Sequence, residues 1–169
     1  MESRDLLLTA FDDIEESVRR ALDGIDPALL TERIDPEANT IAWLVWHLTR
    51  GQDHQVSAVA GTEQAYLADG WADRFALPFR AKATGYGMSS EDVGRTRITD
   101  PQLLLDYHAA VRRQTSEFVS GLSSKDLDRI VDESWDPPVT LGVRLVSVIG
   151  DDLQHAGQAS FLRGHLERR

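Results

Sequence analysis

The sequence predicts an all-α protein, a bundle of four long helices. Three observations carry this. Four stretches repeat apolar residues at helical spacing; residues that start or stop helices bound each stretch; and no stretch sustains period-two alternation or shows an Asn-Gly hairpin. The 169 residues show no internal repeat and fit a single domain over 1–169.

The first helix is predicted from about Arg4 to Leu22, where Leu7, Phe11, Ile14, Val18 and Leu22 make one stripe between acidic residues. Gly24 and Pro27 stop it, and a short helix follows at Ala28–Thr31. The second helix runs from Ile41 to about Ala60, capped by Asn39 or Thr40 and ended by Gly61. It is apolar on more than one face, which makes it the most buried of the four. Residues 62–100 form a long connection between the second and third helices. Glu63–Ala72 is open to a short helix, and Trp71, Phe75, Phe79 and Tyr86 argue for a packed loop. Asp100 caps the third helix, with Pro101 at its first position and Leu103–Leu122 following. Ser123–Val131 reads as a further short helix, and Trp135-Asp136-Pro137-Pro138 as a rigid break. The fourth helix spans about Leu141 to His165.

Composition excludes several functions. With no cysteine, the chain has no disulfide, thiolate metal site or cysteine nucleophile of its own. A net charge of −10 argues against a nucleic-acid partner. No apolar run approaches the ~20 residues of a membrane span, and the acidic start does not resemble a signal peptide. The expectation is a soluble cytoplasmic protein without a membrane partner.

Two places carry chemistry. His47 lies within the apolar stretch Ile41–Leu48, where an unpaired imidazole is costly. On the fourth helix, Asp151 and His155 stand one turn apart, about 40° around the axis, and Gln158 falls about 20° from Asp151. Two ligating side chains at i and i+4, with a third from a facing helix, is how bundles build metal sites. His47, Asp151 and His155 are therefore the candidate ligands of a divalent cation of the zinc, nickel or iron type, with zinc or nickel favoured. Taken singly, His47 reads as a hydrogen-bonded core histidine and Asp151–His155 as an ion pair within one helix. His54 is one heptad beyond His47 and is a candidate for the pocket mouth; Gln158 is a second pocket candidate. No catalytic acid or base stands out. His108 reads as a surface residue and His165 as a dipole-complementing cation in a last turn. Gly85-Tyr86-Gly87 is no phosphate loop, since no Lys-Ser/Thr follows and no strand precedes.

At these residues the chain resembles the DinB-like superfamily, which includes bacillithiol transferases and the metal-binding domain of mycothiol-dependent maleylpyruvate isomerase. The resemblance rests on Asn39-Thr40-Ile41-Ala42-Trp43-Leu44-Val45-Trp46-His47-Leu48 and on Asp151-Asp152-Leu153-Gln154-His155-Ala156-Gly157-Gln158. It implies an up-down-down-up four-helix bundle, often a homodimer, and a divalent metal held by His47, Asp151 and His155. Many members have histidine where this chain has Asp151. A His₂Asp site is harder than His₃ and less biased towards zinc. Asp152, about 60° from His155, is an alternative to Asp151.

The resemblance implies a small-molecule thiol and an electrophile as partners, in a thiol transferase or isomerase reaction. The 16 Arg against 2 Lys favour a GC-rich genome and hence mycothiol. The rival expectation is a non-catalytic, dimeric, stress-related binding protein with a structural or vestigial metal site. Trp43 and Trp46, roughly 60° apart, are expected not to share the bundle centre, which supports a homodimer.

Overall fold

The computed structural model describes residues 2–169 and is built on four long helices. These are α1 (Ser3–Leu22), α2 (Ile41–Ala60), α6 (Pro101–Ser120) and α7 (Leu141–Leu166). Three short helices, α3 (Ala65–Ala68), α4 (Trp71–Phe75) and α5 (Ser90–Arg95), interrupt the connection from α2 to α6.

Caps explain the helix boundaries. The Thr40 side chain accepts the Trp43 amide at 3.0 Å and opens α2, while Gly61 closes it in the left-handed region at φ 71°. Asp100 accepts the Gln102 amide at 2.9 Å and Pro101 takes the first position of α6. Thr140 accepts the Val143 amide and opens α7. In the 62–100 segment the one short helix expected at Glu63–Ala72 is replaced by α3 and α4, and a third, α5, is capped by Ser89 through the Asp92 amide.

α1 and α2 each pack against both α6 and α7, so α1 faces α2 and α6 faces α7 across the diagonals. Side-chain pairs fix the directions. Arg144 of α7 meets Gln55 of α2, and His155 meets His47, so these helices are antiparallel. Thr49 meets His108 and Gln52 meets Thr115, so α2 and α6 run parallel. Arg112 of α6 reaches Leu8 and Asp12, while Arg163 of α7 reaches Arg20 and Asp23 at the C-terminal end of α1. The order is thus up-down-down-up.

The predicted stripe of α1 is its buried face, and α2 buries residues on every side. Trp43 and Trp46 are both buried within the single chain, so neither is left exposed for the dimer contact they were expected to support. The connections cover α2 where a bare bundle would expose it: Tyr66, Trp71 and Phe75 pack around Tyr107. Tyr86 departs from the expected packed loop and is 92% exposed. Ser123–Val131 is not one short helix. A 3₁₀ turn at Asp126–Asp128 leads into β1 (Ile130–Asp132), which pairs antiparallel with β2 (Val139–Thr140). Strands this short leave no alternation to read in a sequence.

A buried polar network ties the 62–100 segment to α2. The Arg50 guanidinium, fully buried, donates to the Ala83 carbonyl at 3.1 Å, to Gln64 Oε1 at 3.0 Å and to Asp53 Oδ2 at 3.3 Å, and lies 4.1 Å from the centre of the Tyr66 ring. Asp53 also accepts the Ala65 and Tyr66 amides, both at 2.9 Å, and the Tyr107 hydroxyl at 2.8 Å. A buried ion pair is tolerable when its remaining hydrogen-bonding positions are filled, as here. Its effect is positional: Arg50 holds Ala83, and residue 84 follows.

Candidate metal centre

The facing surfaces of α2 and α7 bring His47, Asp151 and His155 together, each offering a ligand atom within 4.8 Å of the others. His155 Nε2 lies 3.6 Å from Asp151 Oδ1, and the His47 and His155 ring centroids are 4.9 Å apart. A tetrahedral ion bound at about 2.0–2.1 Å needs donors roughly 3.3 Å apart, so small rotamer changes would complete the shell.

Both imidazoles are oriented for ligation. His47 Nδ1 donates to the Thr84 carbonyl at 2.6 Å, and His155 Nδ1 donates to Gln158 Oε1 at 3.1 Å. Each ring thereby keeps its proton on Nδ1 and presents the Nε2 lone pair, the arrangement that outer hydrogen bonds impose on metal-binding histidines. Trp43 stacks on His47 with centroids 4.5 Å apart and meets His155 edge-on at 6.3 Å. Burial and the neighbouring His155 ring push the His47 pKa below its ordinary value, against the opposing pull of the Thr84 carbonyl and Asp151. Two neutral imidazoles and one carboxylate suit a divalent cation, leaving the filled site with a charge of about +1 and room for exogenous ligands.

Gly85 completes the cradle. It is buried, with φ 95°, and a Cβ there would fall 2.5 Å from His47 Nδ1. Only glycine allows both the backbone conformation and the approach that puts the Thr84 carbonyl on His47. Thr84 and Gly85 were invisible to motif reasoning. The acceptor is a backbone carbonyl, and Gly85-Tyr86-Gly87 matches no phosphate loop. The paired glycines of that segment were the available signal.

The other predicted residues go elsewhere. Gln158 adjoins the cluster as the partner of His155. His54 does not join it: that ring is exposed and hydrogen bonded to Gln64 Nε2 at 3.2 Å. Asp152 does not join it either. It sits on the core face of α7 with Leu145, Val148 and Ala156, and Oδ2 has no hydrogen-bond partner. Burial, reinforced by Asp151, pushes its pKa well above the usual carboxylate range. His108, expected on the surface, is buried between α6 and α2. Its Nδ1 donates to Thr49 Oγ1 at 3.1 Å, Nε2 is unpartnered, and burial lowers its pKa to about 4.

A four-helix bundle carrying a two-histidine, one-carboxylate cluster between antiparallel helices is the class that fold and site define. The model of the DinB superfamily matches residues 10–159, and the chain belongs to that superfamily. Among solved structures, the crystal structure of a conserved protein of locus from Enterococcus faecalis is 30% identical, with 96% of each chain covered and a TM-score of 0.90. No curated protein matches the chain. Among the described residues, no helix is long and apolar enough to cross a membrane.

Proposed function

We propose that this protein binds one divalent cation, zinc or nickel, through His47, Asp151 and His155, and uses it to activate a low-molecular-weight thiol of the mycothiol type towards an electrophile. The observation that supports this most is the convergence of three donors whose two imidazoles are both turned, by Thr84 and Gln158, to present Nε2. A cation there supplies Lewis acidity, which lowers the pKa of a thiol and keeps it as the thiolate. The chain's own residues set the conditions. His47 is held neutral by burial, Asp151 lowers the net charge of the filled site, and Trp43 shields one side from water. In the reaction the thiol proton leaves to solvent, an S–C bond forms, and the electrophile's C–halogen or epoxide C–O bond breaks. The released halide departs, or the alkoxide takes a proton from water. A thiol of this kind is kept reduced in the cytoplasm, the proposed setting.

Metal analysis of the purified protein, followed by conjugation assays with mycothiol, tests this reading. About one cation per chain and thiol-dependent loss of a halide or epoxide substrate are expected. His47→Ala removes one of three ligands and should weaken metal affinity by orders of magnitude. Equal affinity in parent and His47→Ala would refute the assignment. Metal binding without thiol turnover would favour a non-catalytic binding protein.

A further inference from the structure

We infer that the groove between α2 and α7 assigns the acceptor substrate's class: a molecule with an uncharged alkyl or aryl arm, seated beside the metal centre in an apolar cleft. This rests on the metal-centre reading above and deepens it. The cleft has a volume of about 540 Å³, a size suited to a small molecule, and its walls include Ile34, Leu44, Phe161 and Leu162. It adjoins the metal centre through Gln158. Gln158 lines the cleft while holding His155 Nδ1, and Leu44 stands nearly one helical turn before His47. An arm lying there keeps the rest of the molecule at the ligand cluster.

Charge sets the chemistry. Every side chain lining the cleft is neutral, the polar ones being the amides Asn39, Gln154 and Gln158. On the other flank of the cluster, a polar cavity of about 210 Å³ contains Asp151, Asp152 and Arg144. The Arg144 guanidinium is already engaged, by Asp132 Oδ2 at 2.8 Å and Gln55 Oε1 at 2.7 Å. Neither flank therefore offers an unpaired cation to a carboxylate arm. Desolvating an anion without a partner is costly, whereas an apolar arm gains from the same walls. The geometry favours a neutral haloalkane, aryl halide or alkyl epoxide over a dicarboxylate such as maleylpyruvate.

Metal-tethered probes test this directly. The cobalt(II)-loaded protein is titrated with ethanethiol, butanethiol, hexanethiol and 3-mercaptopropionate, and the thiolate-to-cobalt absorption reports binding without turnover. Full burial of a methylene gives about fourfold tighter binding, and an open cleft roughly half that in free energy. The expected gain is about twofold per methylene, on the order of 15-fold from ethanethiol to hexanethiol. The mercapto-acid is expected to bind no better than ethanethiol. Gly157→Phe and Asn39→Phe fill the cleft from α7 and from the segment that precedes α2. A Cβ at Gly157 meets nothing within 4 Å, so that helix tolerates the change. Both variants should keep the ethanethiol affinity and lose the chain-length gain. An absorption band whose affinity ignores chain length, or gains equally in both variants, would overturn the cleft assignment and leave the metal centre standing. Absence of any cobalt spectrum would overturn the metal reading, and with it the cleft, which needs the tether.

Discussion

Replacing Gly85 by alanine tests whether the 62–100 segment tunes the metal centre. The added Cβ would lie 2.5 Å from His47 Nδ1, far inside van der Waals contact, and the backbone at φ 95° disfavours any side chain. The collision is with the ring that must hold still. Relief requires the segment to lift, which breaks the 2.6 Å bond from His47 Nδ1 to the Thr84 carbonyl, or requires the imidazole to turn away from Asp151 and His155. Loss of such an outer hydrogen bond typically costs about 10–100-fold in metal affinity. Gly87 supplies the control. Its φ is 71°, so alanine there carries a comparable backbone penalty, yet a Cβ meets nothing within 4 Å. Competition with a chromophoric chelator for zinc, at neutral pH, reads the difference. Gly85→Ala is expected to bind at least tenfold more weakly than parent, and Gly87→Ala within about threefold of it. Circular dichroism should show both variants helical, since the bundle does not depend on the loop tip. Equal affinity in the two variants would refute the argument that Gly85 acts through His47.

Two further perturbations follow from buried groups and surfaces. The folded-state pKa of His108, about 4, lies below the unfolded value near 6.5, so the unfolded chain binds more protons between these values and stability is lost as the pH is lowered. Between pH 7.5 and 5 this amounts to about 2 kcal/mol, which urea titrations should show as a stability difference between parent and His108→Leu that shifts by that amount across the window. A pH-independent difference would mean that His108 charges freely in the fold. The buried carboxyls Asp53 and Asp152 are shifted up and act with the opposite sign, and they cancel in that comparison. A homodimer is still proposed, now through the outward face of α7. Val143, Val146 and Leu153 are exposed there, interleaved with Gly150, apart from the cleft walls and with no charged side chain among them. Val146→Glu should dissociate the dimer, and sedimentation of the parent as a monomer at micromolar concentration would reject it.

The helices were legible because their signals are local. Stripes such as Leu7-Phe11-Ile14-Val18-Leu22, the caps at Thr40, Asp100 and Thr140, and the stop at Gly61 all act within a turn or two of the chain. The Asp151–His155 pair was legible for the same reason, since i and i+4 share a helix face whatever the rest of the chain does. His47 was the next step, read from an imidazole placed in an apolar stretch. Tertiary structure decided what those residues touch. His108 and His54 differ little in sequence context. One is sealed between α6 and α2, and the other is left outside, because a neighbouring helix covers only the first. Trp43 and Trp46 both find cover because the loop segments fold over α2, and periodicity on α2 cannot anticipate that. The Thr84 carbonyl reaches His47 from 37 positions away through a glycine turn held by Arg50. Every residue carries a backbone carbonyl, so nothing in the side-chain pattern singles out the one that orients the ligand. Only the path of the folded chain does.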